Sequence, residues 1–153
     1  MLTLASNRDI EAYDQIVGDT CGPRVLVGMS AFNRYGLLTT VLAQLECATN
    51  IKEVNGIETF VVRWFYTEDA DNFEDTNPSR INANIRIPTV ERAIVEYIKY
   101  LEYFYEGYLI EGLIDYLNRF NNLKELYACA ERYRVSKYTI DYWLEEARTE
   151  PTE

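Results

Sequence analysis

Apolar positions along the chain recur with two periods, and the changes between them set the order of elements. Ile10, Tyr13, Ile16 and Val17 fall at helical spacing, with Ser6 placed to cap the start and Gly18 to stop the end. Cys21-Gly22-Pro23 reads as loop, and Arg24 to Met29 is a short apolar run. Ser30 then stands as the cap of a brief helix, Ala31 to Tyr35, ended by Gly36. From Thr40 the period becomes two: Val41, Ala43, Leu45 and Cys47 alternate with Leu42, Gln44, Glu46 and Ala48. A second β-rich run covers Ile57 to Tyr66. Between the two runs Asn55-Gly56 signals a hairpin, because both turn positions favour φ > 0. Ile81, Ala83, Ile85 and Ile87 then alternate with Asn82, Asn84 and Arg86, which predicts a strand with one polar face.

Pro88 breaks that strand, Thr89 caps the next helix, and Glu91 sits in its first turn where a carboxylate suits the dipole. Val90, Ala93, Ile94, Tyr97, Ile98 and Leu101 form one apolar stripe. Three more helical patterns follow over Tyr108–Phe120, Leu123–Tyr133 and Lys137–Arg148, jointed at Asn121-Asn122 and Val135-Ser136. Strands followed by a run of helices predict an α+β fold. It comprises N-terminal helices, a small antiparallel or mixed sheet and a helical C-terminal half. Residues 1–150 read as one domain, with a disordered tail at 151–153.

A chain of 153 residues can bury enough core to need no disulfide or metal staple. Its net charge of −10 opposes casual contact with nucleic acid or anionic membrane. It contains no histidine, which removes Ser–His–Asp and Cys–His chemistry and the commonest metal ligand. Cys21, Cys47 and Cys129 are odd in number, far apart and without a CxxC pair. They read as reduced thiols filling the core of a cytoplasmic protein. Neither a signal-peptide pattern nor an apolar run long enough to span a membrane is visible, so no membrane contact is expected.

Four constellations carry candidate chemistry. The stretch from Ala130 to Leu144 has the outline of a helix-turn-helix, in which Arg132, Arg134 and Lys137 would meet phosphates and Tyr138 and Asp141 would lie near base edges. Arg134 replaces the usual turn glycine, and Asp141, Glu145 and Glu146 would repel phosphate; the alternative is a plain packing hairpin. Residues 67–77 are acidic, with Glu68, Asp69, Asp71, Glu74 and Asp75 and no Lys or Arg. They read as a mobile, solvated loop, or as a mimic of nucleic-acid phosphates; a calcium loop would need a glycine they lack. The polar strand face of Asn82, Asn84 and Arg86, with Arg63 beside it, could take an anionic or peptide ligand or could be plain solvated sheet. The helical carboxylates show no pair with catalytic spacing, and no Gly-rich phosphate loop appears. No catalytic residue, cofactor or metal ligand is therefore expected.

Three segments, in order, resemble the AbiEi-type abortive-infection antitoxins. Val27 to Leu37, with Ser30, Ala31, Gly36 and Leu37, is similar to their "S-A-L-x-x-x-G-L" helix. Ile85 to Glu96, with Pro88, Glu91 and Arg92, is similar to their "V-x-x-P-E-R-T-L-x-D" strand-to-helix junction. Here Thr89-Val90 stand between the proline and Glu91, and Ala93 replaces the threonine. Leu123 to Val135 resembles their "L-L-x-Y-A-x-R-L-G-V" helix. The resemblance implies a cytoplasmic prokaryotic or phage defence protein that counters a nucleotidyltransferase-like toxin without catalysis. Full-length members add an N-terminal winged helix with no counterpart ahead of Val27, so autoregulation through it is not expected. At the junction, Arg92 is expected to fold back onto a carboxylate or onto loop carbonyls. Two other readings stay open: a helix-turn-helix transcriptional regulator, and an acidic DNA mimic that inhibits a nucleic-acid-binding defence protein. The expected partner is a protein or cognate toxin, with nucleic acid as the alternative and the oligomeric state undetermined.

Overall fold

In the computed structural model, which describes residues 7–39, 43–59 and 61–149, the chain opens with helix α1 (Asn7–Cys21). The cap expected at Ser6 lies outside the described residues. Gly18 does not stop this helix; it is buried inside it, and a Cβ there would stand 2.2 Å from Asn82 Cγ. The glycine permits close approach, and the chain turns at Gly22 (φ +73) instead.

Strand β1 (Arg24–Val25) leads into α2 (Gly28–Arg34). Ser30 is not the cap expected of it. It lies within α2, fully buried, and its Oγ accepts from the Glu46 N–H at 2.7 Å, fastening the helix to β2 (Leu45–Thr49). Gly36, with φ +69, ends the helix as its sequence position suggests. All five residues of β2 are buried, so the alternation read from Thr40 is not a polar and an apolar face. Residues 40–42 of that run lie outside the described residues.

A 3-10 turn, Lys52–Val54, comes next, then β3 (Glu58–Thr59) and β4 (Val62–Tyr66). The hairpin expected at Asn55-Gly56 is not formed between the two long runs. β2 and β4 pair in parallel, Leu45 with Val62 through Thr49 with Tyr66. A parallel pair needs a crossover of about a dozen residues, and twelve separate Thr49 from Val62 along the sequence. Within it Asn55 (φ −55, ψ 128) and Gly56 (φ +80) make a type II turn, so only the glycine takes positive φ. β5 (Thr76–Pro78) and β6 (Ile85–Pro88) follow. The strand expected from Ile81 begins four residues later, and Ile81 is exposed.

The strands make two mixed three-stranded sheets, β1-β6-β5 and β2-β4-β3. Residues 24–27 stitch them together: Leu26 N–H donates to Arg86 O at 3.0 Å, and Val27 N–H to Glu46 O at 2.9 Å. The helical half is α3 (Val90–Lys99), a 3-10 turn at Leu101–Tyr103, α4 (Glu106–Arg119), α5 (Leu123–Arg132) and α6 (Lys137–Thr149). Thr89 caps α3, its side chain accepting from the Arg92 N–H at 3.2 Å. The stripe predicted on α3 is buried from Val90 to Ile98, but so is every other residue of that stretch; Leu101, the last of the stripe, falls in the 3-10 turn and is half-buried. α3 is the central pillar, packed by α2, α4, α5 and β6. Ile94, Val95, Leu109 and Leu113 are 0–1% exposed. Burial of each such side chain stabilises the fold by ~1.5–3 kcal/mol. The architecture is α+β with a helical C-terminal half.

Candidate functional site

Arg92 organises the region where the candidate residues meet. Its side chain is fully buried. Nε donates to Glu96 Oε1 at 3.0 Å, Nη1 to the carbonyls of Asn72 and Glu74 at 2.6 Å each, and Nη2 to the Asp69 carbonyl at 3.1 Å. The guanidinium lies 4.9 Å over the Tyr133 ring. The fork of a guanidinium suits this task, because its donors point outward in a fixed plane. The three carbonyls belong to the acidic loop. That loop is anchored through its backbone to α3, contrary to the mobile, solvated loop its composition suggests.

Four of the loop's carboxylates, those of Glu68, Asp69, Asp71 and Asp75, are engaged as well. Glu68 pairs with Lys99, and with Arg134 Nη2 at 2.6 Å. Asp69 stands 3.6 Å from Lys99 Nζ. Asp75 receives Arg132 Nε at 3.2 Å and the Tyr133 hydroxyl at 3.1 Å, and Asp71 accepts from Asn50 Nδ2 at 2.6 Å. Arg132 also holds Glu125 at 2.5 Å. The bonds from Arg134 and Lys99 keep the Glu68 carboxyl well below the usual carboxylate range, at about 2. Exposed pairs of this kind contribute only ~0–1 kcal/mol each. Their effect here is on the field: two cations proposed for phosphate and the acids proposed to imitate phosphate neutralise one another. Lys137 lies 5.8 Å over the Tyr127 ring, whose hydroxyl donates to Asp141.

The joint between α5 and α6 has the geometry of a helix-ending Schellman motif. Val135 N–H donates to Ala130 O at 2.8 Å and Arg134 N–H to Glu131 O at 3.2 Å. Arg134 stands at the position glycine favours, with φ 62. Ser136 Oγ accepts from the Thr139 N–H and so caps α6, as expected from its place before the helix.

Asn82, Asn84 and Arg86 do not form an open ligand face. Asn82 Nδ2 donates to Asp19 Oδ1 at 3.0 Å, and Asn84 Nδ2 to Gly18 O at 2.9 Å, tying α1 to the loop before β6. Arg86 Nε donates to Thr76 Oγ1 at 3.1 Å, within its own sheet. Arg63 belongs to the other sheet, on β4, and does not share this face. The residues that carry the resemblance are architectural too. Ala31 and Leu37 are core, and the Pro88 carbonyl accepts from the Tyr35 hydroxyl at 2.5 Å. Glu91 is buried and accepts from the Tyr116 hydroxyl at 2.8 Å, joining α3 to α4.

Sequence reasoning missed a buried bracket. Asp14 on α1, 1% exposed, receives both Nη groups of Arg34, at 2.9 and 2.5 Å, and the Ser79 hydroxyl at 2.7 Å. With both oxygens occupied, the group reads as a fastener of α1 to α2 and to the loop after β5. Its members are 20 and 65 residues apart, and no spacing rule links them. Cys47 and Cys129 are buried and Cys21 is half-buried, all as free thiols. Burial pushes the Cys129 thiol up to about 12, so it is not a thiolate at neutral pH.

The outer face of α6 remains open. Tyr138 and Tyr142 are one turn apart, 85% and 56% exposed, with Glu145 exposed on the next turn. Beside the hairpin joint lies a cleft of about 700 Å³ lined by Tyr127, Glu131, Arg134 and Lys137. Among the described residues, no group of three or more Cys, Asp or Glu side chains is placed to hold a metal ion, and no helix is long and apolar enough to cross a membrane. The chain matches no family model and no curated protein sequence.

Proposed function

We propose that this protein is a non-catalytic regulator that acts by contact with a protein partner, presented through the outer face of α6. One observation carries the reading. Arg132 and Arg134 of the C-terminal hairpin are engaged with Asp75 and Glu68 of the 67–77 loop, while Tyr138 and Tyr142 stay exposed and adjacent. Tyrosine is enriched at the centres of protein interfaces because it brings large contact area and one polar tip. In its sharpest form, the partner is a nucleotidyltransferase-like toxin and the protein is its antitoxin. That form is supported by the resemblance of Val27–Leu37, Ile85–Glu96 and Leu123–Val135 to the antitoxin family.

Co-expression tests it. The chain is expected to restore growth against a nucleotidyltransferase-like toxin encoded beside it, and to co-elute with that toxin. The Y138A/Y142A double variant is expected to keep its melting temperature and to bind at least about tenfold more weakly, the scale of a lost interface anchor. A double variant that protects and binds like the parent would remove this face from the mechanism.

A DNA-binding reading is favoured by one feature, the left-handed turn that joins α5 to α6. Its test is a salt titration on duplex DNA. Phosphate neutralisation gives a log–log slope near −0.9 per phosphate. With Arg132 and Arg134 already held by carboxylates, a flat response is expected, and a slope corresponding to several phosphates would replace the contact reading with the DNA one.

A further inference from the structure

A second site lies apart from α6. Glu46 is carried by the buried strand β2 and is itself 5% exposed. It lines a cavity of about 140 Å³ whose walls include Phe65, Tyr97, Tyr103, Phe104 and Tyr108. The rings are fixed in a continuous column. Phe32 stacks on Tyr97 at 4.6 Å, Tyr97 on Phe104 at 4.7 Å, and Phe104 meets Phe65 at 4.7 Å. Tyr97 donates to the Tyr105 carbonyl at 2.7 Å, which sets the rim.

Part of the arrangement is structural. Val27 offers no side-chain cap to α2, and Glu46 Oε1 takes that place, accepting from the Met29 N–H at 2.6 Å. Gly28 makes room: it has φ +57, and a Cβ there would stand 2.5 Å from Glu46 Oε1 and 2.7 Å from Phe104. Capping explains why an acid stands here. It does not explain why the acid opens onto a cavity with aromatic walls.

A buried carboxylate calls for a counter-charge, and among the described residues no cation lies within ion-pairing distance of Glu46. Arg63 is on the cavity wall, yet its guanidinium sits 5.4 Å over Phe65 and 3.9 Å from Glu58. Burial pushes the Glu46 carboxyl up, against the opposing pull of the Met29 and Ser30 N–H groups and the Arg63 charge. Faces of aromatic rings attract cations. Those of Tyr97 and Phe104 are taken up by the stack and Phe65 carries Arg63, so among the lining rings those of Tyr103 and Tyr108 are left to meet a cation.

We infer that this pocket receives an alkylammonium group, the head of a lysine side chain on a partner polypeptide. The volume is that of about four or five waters, enough for an ammonium and its last methylenes. The cavity shares Tyr105 and Tyr108 with a groove of about 300 Å³ that continues along Ile110, Glu111 and Ile114. That groove has apolar surface for the polypeptide's side chains and a carboxylate for a second cation. The chain's net charge of −10 favours a basic partner in the same sense. The site is independent of the α6 face and stands if that reading fails.

The test is an NMR titration of the whole chain, following the amides of Met29, Phe104, Tyr105 and Gly107. The probes are N-acetyl-lysine methylamide, its uncharged shape-mate N-acetyl-norleucine methylamide, and n-butylammonium. The lysine probe is expected to saturate with Kd of about 1 mM or tighter, and the norleucine probe to bind at least about tenfold more weakly. Glu46→Gln is expected to weaken the lysine probe about tenfold. Because Glu46 also holds the first turn of α2, two wall variants stand beside it. Tyr108→Leu is expected to weaken the lysine probe by about threefold or more, and Arg63→Ala to tighten it by a similar factor through loss of the competing cation. Equal binding of lysine and norleucine, or no effect of both wall variants, would overturn the assignment. Binding of n-butylammonium as tight as the lysine probe would overturn the polypeptide source.

Discussion

Arg92 is the residue on which most of the helical half converges. Removing its guanidinium leaves Glu96 buried without its paired cation and the Asn72 carbonyl without a donor, and takes one donor each from the carbonyls of Asp69 and Glu74, which keep the Asn72 N–H and the Tyr133 hydroxyl. Breaking a buried pair by removing one partner typically costs about 3–5 kcal/mol. Arg92→Ala is therefore expected to lower the urea midpoint by that amount of stability, read with the slope to detect any change in the unfolded ensemble. Arg92→Lys should recover little, since an ammonium cannot span carbonyls at residues 69, 72 and 74 in one plane. A loss below about 1 kcal/mol for Arg92→Ala would mean the clamp does not hold the loop. Gly18 makes a smaller case of the same kind. Alanine is ordinarily the better helix former, by about 1 kcal/mol. At this position its Cβ would collide with an Asn82 amide held by Asp19 and by the Asn84 N–H, so Gly18→Ala is expected to destabilise. Adding Asn82→Ala should recover part of the loss, giving a non-additive pair in a double-mutant cycle.

At the scale of elements, the α5–α6 joint couples a backbone turn to an ion pair. Arg134 occupies a left-handed position that glycine would take without strain, and its side chain reaches Glu68 in the loop after β4. The sign of the pH dependence follows from Glu68. Its carboxyl is depressed to about 2, so its contribution is complete above the ordinary carboxylate value of about 4.3 and is lost as pH falls towards 2. Arg134→Gly removes the largest cause of that depression. Between pH 4.5 and 2 the melting temperature of the variant is expected to fall less steeply than the parent's, and at pH 2 the variant should be the equal of the parent or better. Parallel curves for the two proteins would show that the pair contributes nothing.

For the whole molecule, the arrangement of charge matters more than its total. The chain carries −10, yet its most acidic segment faces its most cationic helix joint, and the two are stapled together. High salt should therefore weaken the staple between the 67–77 loop and the C-terminal hairpin while sparing the buried Arg92 clamp, because screening acts on exposed pairs. Hydrogen exchange at 0.05 M and 1 M salt is expected to show faster exchange in residues 67–72 at the higher salt, with α3 unchanged. Equal protection in the loop at both would assign its order to Arg92 alone.

Helices were legible because their signals are local. The apolar stripe of α3, the caps at Thr89 and Ser136 and the joint at Asn121-Asn122 all act within one or two turns. So does the α+β order, and so does the fold-back of Arg92, which the junction after Pro88 makes plausible from sequence. What tertiary structure alone decided is which distant groups meet. Whether β2 pairs with β4 in parallel or by a hairpin depends on a crossover, not on the turn residues that sit within it. Arg132 and Arg134 meet Asp75 and Glu68 across 57 and 66 residues, and that encounter turns two candidate sites into one structural staple. Glu46 reads in the sequence as one position of an alternating strand; it becomes the acid of an aromatic pocket only when α2, β4 and α4 close around it. Periodicity is a property of neighbours along the chain, whereas burial and charge pairing are properties of neighbours in space.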